Sequence, residues 1–321
     1  MARPTEPTIA LDVSTVPAPV PQARPEGFVV EVEPGDRIHF LDWGAAAGAS
    51  APGVLLVHGL SQTAWTWTPV ARRLGRRLHV VAMDLRGHGL SDSPATGYEP
   101  HTLAADLVAV AEGAGLMDAG VGAAGKEIIV AGHGFGAMVA AWGAARLGSR
   151  VRGLLLVDGG WQDIARSSGL DPDEFLRGLG EPPEVLRSMD AFLADRRDFD
   201  AATWETDQEQ AARATVVEQH SGRLTPATRP HAVTGSVEAM FAYDPLVVLP
   251  SVEAPILALA AADDENGTAA AALRDAQGAL ASAGRPPIRV IRFPDSGHNL
   301  MRYRPREVCA AILALASTIP P

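Results

Sequence analysis

The sequence predicts an α/β protein: a mostly parallel β-sheet with helices on both faces and an inserted helical cap. Three observations carry this. Short apolar runs alternate with longer helical stretches over most of the 321 residues, the rhythm of strands joined by crossover helices. Runs such as Gly53–Val57 and Gly153–Val157 are apolar at every position, as strands buried on both faces must be. From about Gly160 to Ser251 the rhythm stops, and Asp, Glu, Arg and Pro dominate with no buried strand apparent.

The elements follow in order. Residues 1–26 hold Pro4, Pro7, Pro17, Pro19, Pro21 and Pro25 among small and polar residues, which predicts a disordered, mobile arm. Phe28–Val32 and Arg37–Trp43 flank Pro34-Gly35-Asp36 and read as a hairpin. Strands are expected at Gly53–Val57, Leu78–Met83, Ile128–Ala131, Gly153–Val157, Pro255–Leu259 and Ile288–Phe293. Helices are expected at Trp65–Leu74, Thr102–Glu112, Phe135–Leu147, Thr268–Ala283 and Pro305–Ala316. The core therefore comprises 27–159 and 252–321, with 160–251 as the cap. Within the cap, helical stretches fall near Pro172–Leu179, Pro183–Asp195, Trp204–His220 and Thr234–Phe241. A cap here would sit over the C-terminal edge of the sheet, where open α/β sheets bind ligands.

Composition narrows the function. The formal net charge of -11 argues against a nucleic-acid partner and against an anionic membrane surface. No apolar run reaches the roughly 18 residues that a membrane helix needs. The first residues lack an apolar signal core, and Cys309 is the single cysteine, so the expected location is the cytoplasm. Neither H-E-x-x-H, a paired-cysteine motif, nor the phosphate-cradling G-x-x-x-x-G-K-[ST] occurs, so no metal and no cofactor is expected.

Four segments fall at strand ends: Val57-His58-Gly59-Leu60, Asp84-Leu85-Arg86-Gly87-His88-Gly89-Leu90-Ser91, Gly132-His133-Gly134-Phe135-Gly136, and Ser296-Gly297-His298-Asn299. Together, and in this order, they resemble the α/β-hydrolase family, above all its cap-bearing members. The resemblance covers roughly residues 28–318 and implies the α/β-hydrolase fold. It also implies a nucleophile elbow at G-x-S-x-G, where residue 134 is the nucleophile position. That residue is Gly134, which has no atom able to form a covalent intermediate. Glycine costs the turn little, because it enters strained backbone regions freely. The resemblance further makes His298 the general base and Asp264 the acid that orients it, with Asp263 and Asp158 as alternatives. The backbone N–H groups of Leu60 and Phe135 would form an oxyanion hole. His58, His88, His133, Arg86 and Asp84 read as structural. Gly132, Gly134 and Ala137, followed by Asp158, also satisfy the loose dinucleotide pattern, but several strands precede them and that reading leaves the other segments unexplained.

Three functions compete on these residues. An enzyme acting on a small, largely apolar organic substrate could use a His298–Asp264 dyad to activate water or remove a proton without a nucleophile at 134. A pseudoenzyme could keep the pocket only to bind a ligand. A serine esterase-like hydrolase could have been altered at 134. Oligomeric state is not legible in the sequence.

Overall fold

The computed structural model describes residues 11–20, 23–32, 35–44, 52–117, 127–179, 188–261 and 267–317. Eight strands form one sheet: β1 (Glu26–Val32), β2 (Asp36–Asp42), β3 (Gly53–Val57), β4 (His79–Met83), β5 (Ile128–His133), β6 (Val151–Val157), β9 (Ile256–Ala261) and β10 (Arg289–Phe293). The spatial order is β1-β2-β4-β3-β5-β6-β9-β10. β1 and β2 pair antiparallel, as does β2 with β4, and every other pair is parallel. The mostly parallel sheet expected from the continuous apolar runs is therefore present.

Alternate residues of the central strands face opposite layers, and both layers are apolar. Leu55, Val130, Leu154 and Leu156 pack under the helices Pro100–Gly113 and Phe135–Leu147. Val54, Leu56, Ile129 and Leu155 pack under Thr68–Leu74 and Pro305–Ser317. Each such side chain contributes roughly 1.5–3 kcal/mol by leaving water. Small residues bring the central helix close to its neighbour: a Cβ on Gly143 would press into the Leu107 methyl groups at 2.7 Å.

Two expectations differ from the structure. Residues 11–20 do not hang free. Val13–Thr15 forms a short 3-10 turn capped by Asp12, and Val16 is buried. Val20 N–H donates to Arg72 O at 3.1 Å, and Arg306 donates to Val13 O at 3.1 Å. The proline content masked three apolar anchors, Leu11, Val13 and Val16, which pack on the second layer. The insertion, residues 160–251, is not wholly helical either. The helix expected over Trp204–His220 ends at Ala214, and a small hairpin follows, β7 (Val216–Glu218) with β8 (Leu224–Pro226). The β-branched run Thr215-Val216-Val217 favours strand, and Gly222 turns the chain at φ 75°. Elsewhere the insertion forms the helices Ile164–Ser168, Pro172–Gly178, Met189–Phe199, Thr206–Ala214, Pro230–Phe241 and Pro245–Ser251. The first half of the stretch expected at Pro183–Asp195 lies outside the described residues. No single helix among the described residues is long and apolar enough to cross a membrane.

Candidate active site

The segments singled out in the sequence converge at the C-terminal end of the sheet. The turn from β5 into the helix Phe135–Leu147 is tight on both flanks. A Cβ on Gly132 would run into the Gly136 carbonyl, and one on Gly136 into the carbonyls of Val57 and His58. Only glycine fits either place. Gly134 sits at the apex with φ 54° and ψ -118°, a region that costs a side-chain-bearing residue about 1–3 kcal/mol. Its N–H donates to Val157 O at 3.0 Å, and its carbonyl accepts from Ala137 N–H at 3.1 Å.

His298 comes to this apex from the loop after β10. A Cβ placed on Gly134 would lie 3.2 Å from His298 Nε2. The other ring nitrogen, Nδ1, lies 2.6 Å from Asp158 Oδ2. Asp158 follows β6 and is itself held at φ 47°. Its N–H donates to Leu259 O at 2.8 Å, and its Oδ1 accepts from Ala261 N–H at 2.8 Å. One carboxylate oxygen is thus fixed by backbone while the other faces the imidazole. The His298 side chain is 62% exposed, against 17% for Asp158. Asp263 and Asp264 lie outside the described residues; among the described residues the carboxylate at His298 is Asp158. The sequence signal for it is Asp158-Gly159-Gly160 directly after β6: a Cβ on Gly159 would press on Gly134 Cα at 2.9 Å.

Leu60 and Phe135 border the same space. The loop that carries Leu60 is clamped by His58. Leu85 N–H donates to His58 Nε2 at 3.0 Å, which leaves the proton on Nδ1, 2.8 Å from Gly59 O. The Gly59 carbonyl and the Leu60 N–H belong to one peptide unit, so the clamp also aims that N–H. His133 lies beside the apex with its ring centroid 4.4 Å from that of His298. Burial first, then the charge of His298, pushes its imidazole down to about 3.

A second polar group braces this end from below. Asp84 accepts from Ala64 N–H at 2.7 Å and from Leu90 N–H at 3.1 Å, and lies 2.8 Å from His39 Nδ1. Burial alone would raise its carboxyl, but His39, the neighbouring His58 and Ala64 N–H together hold it below the usual range. Arg86, fully buried, makes paired bonds to Asp106 at 2.8 and 2.7 Å and another to Asp36. Burial pushes His88 down to about 3, with His58 adding to the effect.

The cavity above Gly134 holds about 400 Å³. Its walls include Leu60, Met138, Phe175, Leu179 and Met240, with Gln62, Gln162 and Ser167 as the neutral polar groups. Among the described lining residues none is Lys or Arg. Phe175, Leu179 and Met240 come from the segment 160–251. Tyr243 is instead buried in the core, donating to Gly160 O at 2.7 Å, and Trp161 borders a smaller neighbouring cavity. Among the described residues no group of three or more His, Cys, Asp or Glu side chains converges as a metal site would require.

Comparison with known proteins gives the family and the fold. The family model described as "Alpha/beta hydrolase family" matches residues 54–311, so the chain belongs to that family. It is 34% identical to 2-(acetamidomethylene)succinate hydrolase of Mesorhizobium japonicum over 148 residues, 46% of this chain and 49% of that protein. It is 35% identical to N-formylmaleamate deformylase of Pseudomonas putida over 125 residues, 39% of this chain and 42% of that one. The chain spans about half, or less, of the length of the curated relatives it matches. Among solved structures, E-2-(acetamidomethylene)succinate hydrolase aligns with a TM-score of 0.74 at 20% identity, over 92% of this chain and 100% of that one. An esterase of M. tuberculosis aligns with a TM-score of 0.65 at 23% identity, over 92% and 93%. At these identities the structural likeness shows the fold.

Proposed function

We propose that this protein is a hydrolase-like enzyme that acts on a small, neutral, largely apolar carbonyl compound without a covalent intermediate. The observation that carries it is the placement of His298 Nε2, 3.2 Å from where a Cβ on Gly134 would stand, with Nδ1 held by Asp158 at 2.6 Å. A base is aimed at the nucleophile position, and that position is bare. Water there gives up a proton to His298 as its oxygen attacks the carbonyl carbon. Asp158 steadies the imidazolium, and the N–H groups of Leu60 and Phe135 act as an oxyanion hole for the developing negative charge. On collapse His298 returns the proton to the leaving group. With a substrate that carries an acidic proton, the same dyad removes that proton directly. The insertion acts as the cap that excludes bulk water.

The substrate class follows from the walls. The names of two relatives specify a succinate and a maleamate. Here the described lining residues offer no Lys or Arg to a carboxylate, and Asp158 adds a negative charge, which favours a neutral substrate. Turnover of short neutral esters and amides by the native chain, His298→Ala and Asp158→Asn tests the reading. His298→Ala should lose about 100-fold or more and Asp158→Asn about tenfold. Undiminished turnover in His298→Ala overturns it. Gly134 itself favours a second reading, a ligand-binding pseudoenzyme. Tight binding of neutral apolar ligands with no conversion over hours selects that one.

A further inference from the structure

We infer that His133 is a positioning residue that ties the loop of the base to the loop of the oxyanion hole. The inference deepens the reading above and rests on His298 being its base. His133 Nε2 lies 3.0 Å from the backbone carbonyl of His298, and Nδ1 lies 3.1 Å from Gln62 Oε1. Gln62 Oε1 also accepts from Gly59 N–H at 3.1 Å, and Gln62 N–H donates to Gly59 O at 3.1 Å. A continuous chain of contacts therefore runs from the His298 carbonyl through one imidazole and one amide to the peptide next to Leu60. His133 is the residue next to Gly134 in the chain.

The chemistry of the bridge is specific. The His298 carbonyl can only accept, and Gly59 N–H can only donate, so the Gln62 atom facing it is the oxygen. Both nitrogens of His133 thus face acceptors. The ring is fully enclosed beside the His298 imidazole, and burial keeps it neutral, so it carries one proton for two acceptors. That proton lies on Nε2 and holds the base loop, or on Nδ1 and holds the oxyanion loop. The pair of acceptors exchanges it between the two. A hydrophobic ring of equal size would fill the space and do neither.

Long-range proton–nitrogen NMR of histidine-labelled native protein reads the two nitrogens of His133 without needing turnover. The expected result is an averaged pair of shifts, with both tautomers populated. Gln62→Leu removes one acceptor and should move the proton fully to Nε2. It should also speed amide exchange around Gly59–Gln62 about tenfold. His133→Phe should speed exchange in that loop and in Gly297–Leu300 together. A single tautomer unchanged by Gln62→Leu overturns the inference, as does exchange that stays put in either loop. Where the native chain turns over a substrate, Gln62→Leu should lower kcat severalfold at constant KM. A chain with no turnover at all would refute the proposed reaction while leaving the NMR result to decide the bridge. Gln62 is only half-buried, so its variant keeps the test open if His133→Phe does not fold.

Discussion

Two groups of imidazoles and carboxylates in this molecule do opposite things. His39, His58, His88 and Asp84, with Arg86 and Asp106 beside them, are closed off from solvent. Nearly every polar atom there is spent on backbone or on a neighbour, and burial pushes His88 down to about 3. His298 and Asp158 have the same residue types, yet the imidazole is mostly open and its Nε2 faces the cavity. The difference teaches that residue identity alone assigns no role. A histidine closed off from solvent in the packed interior is a strut, and one with a nitrogen facing a cavity is positioned to exchange protons.

The largest effect should come from restoring what the second group lacks. Gly134→Ser puts an oxygen within reach of His298 Nε2 and should raise ester hydrolysis by about 100- to 10,000-fold, since removing such a serine costs up to about a million-fold elsewhere. The same change should cost about 1–3 kcal/mol of stability, because serine must adopt φ 54°. Gly134→Ala is the control: the same destabilisation on a denaturant curve with no gain in rate. Equal rates for Gly134→Ser and the native chain would mean that the cavity is shaped for other chemistry.

The inner group should break differently. Asp106→Ala leaves the guanidinium of Arg86 short of its paired acceptor in the buried interior, and should cost about 3–5 kcal/mol. Asp158→Asn, at the partly open dyad, should cost under about 1 kcal/mol of unfolding free energy while its effect falls on rate. If Asp158→Asn unfolded the protein as readily as Asp106→Ala, the two groups would be one structural network and the comparison would fail.

Much of this was legible before any coordinates. The parallel sheet followed from Gly53–Val57 and Gly153–Val157, because a strand covered on both faces has no polar side to show. The meeting of the strand-end segments was legible too, since parallel strands deliver all their C-terminal ends to one place. The bond between Asp158 and His298 was less legible. Asp158 and Asp264 both follow strands, and in the sequence nothing ranks the end of β6 above the end of its parallel neighbour β9 as the place of the acid. The arm was misread because proline counts report local stiffness and say nothing of Val16 finding an apolar groove. The hairpin at Val216–Glu218 was hidden by helical composition upstream, which does not announce where β-branched residues take over.

The smallest effect separates the two groups by pH. His88 and His133 are neutral in the folded protein, with imidazoles pushed down to about 3 by burial, whereas an unfolded histidine titrates near 6.5. Below about 6.5 the unfolded chain binds protons that the folded chain refuses. Stability is therefore complete above that value and falls as pH drops toward 3. Between pH 7 and pH 5 each of these two residues should cost about 1–2 kcal/mol. His88 is the cleaner probe, because its Nε2 has no hydrogen-bond partner among the described residues and it lies away from the dyad. His88→Leu should reduce the stability lost between pH 7 and pH 5 by about 1–2 kcal/mol. An unchanged slope would mean that His88 opens to water and protonates in the folded state, and then burial would no longer be what divides the struts from the base.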